Sequence, residues 1–181
     1  MRSAAWNRPM TRVIVQPVRQ RDGSEIVAAN RASIGLHEPF VYPFRDQAGF
    51  LAYLSRCDGD RSIGYVAREL DNGRVVGIVN LNEIVRGVFQ SAYLGYYGMA
   101  GMTGRGLMRE AVGGVVARGF SEHGLHRLEA NIQPENGPSR ALVQSLGFQR
   151  EGYSPRYLKI GGEWRDHERW AILAEDWQAL R

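Results

Sequence analysis

A glycine-rich segment at the start of a predicted helix is the first feature of this sequence that could bind a ligand. Gly104 and Gly106 come directly before Leu107, where apolar residues begin to recur at helical spacing as far as Phe120. The start of a helix carries unpaired backbone N–H groups and the positive end of the helix dipole, and glycine lets the chain wrap closely around an anion. The segment therefore either binds a phosphate group or forms a tight strand-to-helix turn without a ligand.

Two well-known phosphate-binding motifs differ from this segment. A P-loop requires Lys followed by Ser or Thr after its last glycine, but Leu107 and Met108 follow Gly106. The dinucleotide-binding fingerprint requires a third glycine at position 109, which is Arg109 here. The sequence thus argues against nucleotide hydrolysis and against NAD binding.

Histidine and cysteine form no recognisable metal-binding pattern. The chain has four histidines and one cysteine, without a Cys-x-x-Cys or His-Glu-x-x-His set. His123 and His126 are three residues apart but lack a third ligand, so we interpret both as structural. We expect no metal site, and the single Cys57 can form no internal disulfide.

The elements around the glycine-rich segment predict an α/β fold with a mixed sheet. Strands are expected at 12–17, 63–70, 75–81, 91–97, 128–132, 148–158 and 164–173. Helices are expected at about 23–34, 46–57, 107–120 and 136–146. Asn72-Gly73 and Gly161-Gly162 predict hairpin turns, because these residues tolerate the positive φ angles of such turns.

Length and composition are those of a single globular domain covering residues 1–181. With 44% hydrophobic residues, the chain can build a packed core. It has 23 Lys and Arg against 19 Asp and Glu, and this net charge of +4 is too mild for an architectural nucleic-acid binder but suits a small anionic ligand. Neither a signal peptide nor an apolar run of the ~20 residues that span a membrane is present, so we expect a cytoplasmic protein.

Several motifs in the second half of the chain follow one another in a fixed order. They are TGRGLMREA at 103–111, HRLEAN at 126–131, QPENGPS at 133–139, LGF at 146–148, EGY at 151–153 and GEWRDH at 162–167. Together they resemble the GCN5-related N-acetyltransferase (GNAT) superfamily, and more closely its RimJ/RimL branch of ribosomal-protein-alanine acetyltransferases. The resemblance implies that fold, with a mostly antiparallel twisted sheet, and acetyl-coenzyme A as the co-substrate.

The same resemblance implies where the co-substrate binds. The pyrophosphate is expected over the backbone amides of Thr103, Gly104, Arg105, Gly106, Leu107 and Met108. The pantetheine arm is expected beside Tyr96, Tyr97, Gly98 and Met99, with Asn136 as a hydrogen-bond partner. Because side chains alternate along a strand, one of the two tyrosines should enter the core and the other should face the cleft.

Glu83 and Ser139 are the residues that we expect to serve acetyl transfer. The reaction needs a neutral amine, a stabilised oxyanion and an exit for the thiolate. Glu83, just after the buried strand at 75–81, is either the base, acting through a water, or a solvated loop carboxylate; Asp166 and His167 are the reserve candidates. Ser139 either hydrogen-bonds the thiol or caps its helix, and backbone N–H groups at 97–99 would polarise the thioester carbonyl.

Two positions depart from the superfamily pattern. Thr103 replaces the usual Gln or Arg, and Val143 stands where many members have a tyrosine that protonates coenzyme A. Cys57 has no adjacent His that could activate it, so we expect direct attack by the amine without an acetyl-enzyme. Three functions stay open: acetylation of an N-terminal alanine or serine of a protein, acetylation of a small amine such as an antibiotic, polyamine or amino acid, and non-catalytic binding of acetyl-coenzyme A. The sequence is compatible with a monomer or a homodimer.

Overall fold

A computed structural model describes residues 11–180, and its strands form one seven-stranded sheet. The strands are β1 (Val13–Pro17), β2 (Ile63–Glu69), β3 (Val75–Val85), β4 (Ser91–Gly98), β5 (Arg127–Ile132), β6 (Gln149–Ile160) and β7 (Glu163–Leu173). Their order is β1-β2-β3-β4-β5-β7-β6, and only β4 and β5 run parallel. The predicted mixed, mostly antiparallel sheet is therefore confirmed.

Six helices flank the sheet within the described part of the chain. They are α1 (Gly23–Ala32), α2 (Ile34–His37), α3 (Gln47–Arg56), α4 (Leu107–Ser121), α5 (Gly137–Ser145) and α6 (Ala174–Ala179), with a 3-10 turn at Gln20–Asp22. Sequence periodicity predicted α1, α3, α4 and α5 but missed the shorter α2 and α6, because one helical turn has no readable period. None of the described helices is long and apolar enough to cross a membrane.

Helix α4 packs its apolar face on the central strands. Leu107, Ala111 and Val115 are fully buried, as the 3.6-residue period of the helix predicts. A side chain at Gly77 in β3 would collide with the backbone carbonyl oxygen of Tyr97 as well as with the sulfur of Met108, so glycine is required where β3, β4 and α4 meet. The glycine-rich segment that precedes α4 is thereby held against the ends of β3 and β4.

Strands β4 and β5 are paired at only one end. Their ladder covers Ser91–Tyr93 with Arg127–Glu129, and beyond Tyr93 the two strands diverge. From Leu94 onward, one edge of β4 therefore faces an opening in the sheet instead of a neighbouring strand. This opening separates the β1–β4 half of the sheet from the β5–β7 half.

Strand β3 is longer than the sequence predicts, and it contains an irregularity. It continues past Leu81 to Val85, with a register shift between Asn82 and Val85 in its pairing with β4. Glu83 lies within this bulge at a φ angle of 48°. The prediction that the strand ends before Glu83 is wrong, because the bulge lets the strand continue pairing after the irregular residues.

Candidate active site

A cleft of about 490 Å³ lies where β4, the glycine-rich segment and two helices meet. We call it the large cleft. Its lining comes from α2 and the residues after it, the end of β4, the segment before α4, the first turn of α4, and α5. It includes ten of the residues predicted to bind the co-substrate or to act in catalysis: Tyr96, Tyr97, Gly98, Thr103, Gly104, Gly106, Leu107, Met108, Asn136 and Ser139.

The glycine-rich segment leaves backbone N–H groups available at the start of α4. Gly104 and Gly106 have φ angles of 73° and 75°, in the left-handed region that favours glycine. Gly106 is the N-cap residue, and no side chain caps the helix there. An uncapped helix start that faces a cleft suits an anionic group such as a phosphate.

Two of the residues predicted to contact the co-substrate have other partners in the structure. The Arg105 guanidinium forms an ion pair with the buried carboxylate of Glu69 and lies outside the lining of the large cleft. Met99 is buried, and its N–H donates to the carbonyl of Val76 at 2.9 Å. The Met99 N–H is thus unavailable to polarise a thioester, contrary to the prediction for residues 97–99, and Arg105 anchors the segment through its side chain.

Alternation along β4 identifies the backbone groups that face the opening. Val76 and Met99 form a hydrogen-bonded pair between β3 and β4, so Tyr97, two residues earlier in β4, also directs its backbone groups toward β3. Those of Tyr96 and Gly98 point the other way. The Gly98 carbonyl is within 2.8 Å of His37 Nε2, which leaves the Tyr96 and Gly98 N–H groups to face a ligand.

Arg109 is the only formally charged side chain among the described residues that line the large cleft. It lies in the first turn of α4, and its Nε donates to Ser145 Oγ at 3.0 Å. Within residues 11–180, no carboxylate belongs to this lining. The charge of Arg109 and the helix dipole therefore both favour an anionic ligand.

A pair of hydroxyl groups crosses the opening between β4 and α5. Tyr96 Oη lies 2.6 Å from Ser139 Oγ, and burial raises the pKa of Tyr96 to about 12. The phenol thus keeps its proton at neutral pH, and either hydroxyl can donate. Val143, at the position where many superfamily members have a tyrosine, is fully buried in the core.

Asn136 caps α5 and also faces the ligand space. Its Oδ1 accepts a hydrogen bond from the Ser139 N–H at 3.2 Å, which is the capping role considered for this residue. The residue nevertheless lines the large cleft. The two interpretations of Asn136 are therefore compatible, because its Oδ1 makes the cap and its Nδ2 is a separate donor.

Tyr97 and His37 form the wall of the large cleft near α2. Their rings meet edge to face with centroids 5.1 Å apart, and burial lowers the pKa of His37. Both Tyr96 and Tyr97 line the large cleft and also pack against the hydrophobic core, so the expected division, with one tyrosine in the core and the other facing the cleft, is met only in part.

A second, smaller cavity of about 160 Å³ lies in the opening between β4 and β5. We call it the small cavity. It shares Phe40, Val41, Tyr96, Asn136 and Ser139 with the large cleft. The rest of its lining comes from β4, β5 with the residue after it, β6 and β7, and none of the described residues that line it is Asp, Glu, Lys or Arg. The two spaces thus adjoin at the Tyr96–Ser139 pair.

The three residues considered as the base occupy very different places. His167 lines the small cavity and is 2% exposed. Asp166 lines neither space. Its carboxylate instead accepts hydrogen bonds from the Tyr153 hydroxyl and from the Arg156 N–H. Glu83 also lies outside both, with an exposed carboxylate that pairs with Arg61 at 3.2 Å. Its assignment as the base stays a prediction.

The remaining reactive groups lie away from the two spaces. Cys57 is close to Tyr53 and Gly64, outside the lining of both the large cleft and the small cavity. Burial raises the pKa of the Cys57 thiol, which lowers its nucleophilicity at neutral pH. Within residues 11–180, no three His, Cys, Asp or Glu side chains come together in a group that could hold a metal ion.

Sequence reasoning missed three residues of the site. Arg109 was considered only because it replaces a glycine of the dinucleotide-binding fingerprint. Its position in the first turn of α4 could have indicated a contact with an anion. His37 and Asn131 carried no usable signal, because each reaches the ligand space only through the tertiary fold.

Comparison with known proteins extends these observations. Residues 12–149 match the model of a family described as the acetyltransferase (GNAT) domain. The ribosomal protein uS5-alanine N-acetyltransferase of Escherichia coli K12 is 34% identical over 175 residues, which are 92% of this chain and 90% of that protein. Mycobacterium smegmatis RimJ in complex with CoA-disulfide superposes with a TM-score of 0.83 at 31% identity, over 91% of this chain and 83% of that chain.

A more distant structure shares only the fold. Spermidine N-acetyltransferase from Vibrio cholerae, in complex with CoA and spermine, has a TM-score of 0.78 at 19% identity, over 92% of this chain and 98% of that chain. The expected sheet and its flanking helices thus recur in proteins that differ in their acceptors.

Proposed function

Because the chain belongs to the GNAT family of N-acetyltransferases, we propose that it transfers the acetyl group of acetyl-coenzyme A to the α-amine of a protein N-terminus. The family resemblance inferred from the ordered motifs is confirmed, and so is the expectation of an acetyltransferase. The choice of acceptor is the new element of the proposal.

The observation that carries this proposal is the junction of two unlike spaces at the Tyr96–Ser139 pair. Among the described residues, the large cleft has a helix start without a side-chain cap, one arginine and no carboxylate, which supports binding of the anionic co-substrate there. The small cavity opens beside it, and the described residues of its lining include no Asp, Glu, Lys or Arg. An amine in the small cavity would meet the thioester at the hydroxyl pair.

The composition of the small cavity favours an N-terminus over a polyamine. A polyamine carries several ammonium groups, and desolvating them without counter-charges is costly. An α-amine is a single charge with a pKa of about 7.7–8.0, so roughly one molecule in seven is neutral at pH 7, whereas a lysine amine is almost never neutral. A cavity of about 160 Å³ without carboxylates therefore suits an α-amine with a small side chain.

The chain's own groups would assist the transfer in simple ways. The amine nitrogen attacks the thioester carbonyl, and the N–H groups of Tyr96 and Gly98, which face the opening, can stabilise the developing oxyanion. The Tyr96–Ser139 pair can hydrogen-bond the departing thiolate, which needs little acid because a thiol has a pKa near 8.5. No acetyl-enzyme is required, since Cys57 lies elsewhere.

The proposal is tested by supplying acetyl-coenzyme A with alternative acceptors and measuring thiol release. The panel contains peptides that begin with alanine or serine, the same peptides with a blocked N-terminus and an internal lysine, and spermidine. We expect turnover only with the free α-amine. Turnover of spermidine with none of the peptides would replace the proposed acceptor by a polyamine.

A further inference from the structure

His167 and Asn131 stand out in the small cavity because both present polar atoms with no assigned role. Asn131 Oδ1 is buried and has no hydrogen-bond partner among the described residues. His167 is buried, and its Nδ1 lies 3.0 Å from the Arg165 carbonyl. Since a carbonyl can only accept, Nδ1 carries the proton of the neutral ring, and Nε2 is left as an acceptor.

Strand pairing brings these two side chains to the same face of the sheet. Asn131 in β5 is opposite Arg169 in β7, and His167 is two residues before Arg169. Diagonal neighbours of this kind lie about 7–8 Å apart. Both residues line the small cavity, so an amine bound there has both acceptors in the walls around it.

We propose that His167 and Asn131 bind the acceptor amine, with His167 Nε2 as the base that removes its proton and Asn131 Oδ1 as the acceptor that orients it. The inference rests on the proposed function and adds two specific residues to it. A buried acceptor without a partner is destabilising, and an N–H group of the substrate would supply the missing hydrogen bond. The pair therefore selects a nitrogen that carries several N–H groups.

The proton and electron balance of the step is complete. One proton of the substrate ammonium passes to His167 Nε2, and the neutral nitrogen forms a bond to the thioester carbon. When the C–S bond breaks, sulfur keeps the electron pair and takes the second proton of the nitrogen through the Tyr96–Ser139 hydroxyls. The products are the acetylated amine, the coenzyme A thiol and one proton, which His167 returns to water.

The surroundings of His167 keep it neutral. Burial lowers the pKa of His167, and this effect outweighs Asp166 and Glu135, whose charges raise it. The other ring that faces it is Tyr157, with centroids 6.3 Å apart. The imidazole is therefore ready to accept a proton at pH 7, and activity should fall only as the pH drops below about 6.5.

The first test compares His167→Gln with His123→Gln. His123 is a matched control, since burial also lowers its pKa but it bonds Tyr65 and lies outside both ligand spaces. With an alanine-terminated peptide, we expect kcat of His167→Gln to fall by roughly 10²–10⁴-fold and the decline below pH 6.5 to vanish. Asp166→Asn should keep that decline. A kcat for His167→Gln equal to that of His123→Gln would overturn the role of His167.

The second test measures binding without turnover. Calorimetry with the alanine-terminated peptide and free coenzyme A should show peptide affinity reduced at least tenfold in Asn131→Leu, with coenzyme A affinity unchanged. Equal peptide affinity in the wild type and Asn131→Leu would refute the role of Asn131. An NMR titration of His167 in the wild type serves if His167→Gln does not fold: a pKa that peptide binding leaves unchanged would count against the inference.

The wild-type enzyme and the variants test the acceptor and the two binding residues separately. If the wild-type enzyme acetylates no N-terminal peptide, the proposed acceptor is wrong. If it does so and the variants behave as the wild type, the acceptor stands and the assignment of His167 and Asn131 is wrong.

Discussion

Replacing Gly104 by alanine tests whether the glycine-rich segment holds the co-substrate. At Gly104 the φ angle is 73° and a Cβ atom would meet no other atom within 4 Å. The substitution should therefore lower the free energy of unfolding only through the left-handed backbone strain of alanine, which is about 1–2 kcal/mol. This corresponds to a loss of about 2–8 °C in Tm for a chain of this size. The added methyl group would, however, occupy space in the large cleft.

Gly87 offers a matched control for this substitution. Its φ angle is 67°, a Cβ atom there also meets nothing within 4 Å, and it lies in the turn between β3 and β4 at the far end of β4 from the cleft. Gly87→Ala should lose as much thermal stability as Gly104→Ala. Only Gly104→Ala should bind coenzyme A more weakly, because the methyl group would displace a phosphate from a backbone N–H group.

The expected loss of coenzyme A affinity follows from the energy of the hydrogen bond between a phosphate and the backbone N–H group. A hydrogen bond to a charged group is worth about 1.5–3 kcal/mol, which is roughly a 10- to 150-fold change in Kd. Calorimetric titration with coenzyme A and thermal unfolding of both variants measure the two effects separately. Equal coenzyme A affinity in Gly104→Ala and Gly87→Ala would refute the placement of the phosphates.

Four further changes test other parts of the structure. Glu69→Gln removes the charge that pairs with Arg105, so coenzyme A affinity measured by calorimetry should fall. The loss should be about tenfold or less, because the Arg105 side chain is half-exposed and stays hydrated. Unchanged affinity would show that the glycine-rich segment does not need this ion pair. Ser139→Ala should lower kcat by about tenfold or less, since the thiolate leaves with little acid help, and a loss above a hundredfold in thiol release would contradict this weak role. Glu83→Gln should leave kcat near the wild-type value, because the carboxylate is exposed and outside both ligand spaces, whereas a fall of roughly 10²–10⁴-fold would establish it as the base. The Tm measured by calorimetry should fall as the pH is lowered from 7 to 5. Histidines in the unfolded chain bind protons near pH 6.5, whereas the buried histidines of the folded protein, whose pKa is lowered, stay neutral at that pH. A Tm that rises over this range would contradict the burial of these side chains. The histidines concerned are His37, His123 and His167.

Local patterns in the sequence predicted many of the secondary-structure elements. The apolar period from Leu107 to Phe120 predicted α4, and Asn72-Gly73 marked the turn between β2 and β3, because both depend on residues that are neighbours along the chain. The glycine-rich segment was predictable for the same reason. Its positive φ angles and its place at a helix start are properties of a few consecutive residues.

Contacts between distant residues could not be predicted in this way. Tyr96 and Ser139 are 43 positions apart in the chain, yet their hydroxyl groups lie 2.6 Å from each other. The Arg105 side chain turns to Glu69 rather than to the cleft, because a buried carboxylate lies beside it only in the folded chain. The bulge at Glu83 likewise depends on how β3 pairs with β4.

Local sequence patterns are enough to predict the strands, most of the helices and the segment suited to a phosphate, whereas packing between distant parts of the chain determines which side chains share a cavity. The small cavity exists because the β4–β5 ladder stops at Tyr93. Where that ladder stops depends on the packing of both halves of the sheet, which no short stretch of sequence encodes. This is why Asn131 and His167 meet there, while Glu83, chosen from sequence, lies on the outside.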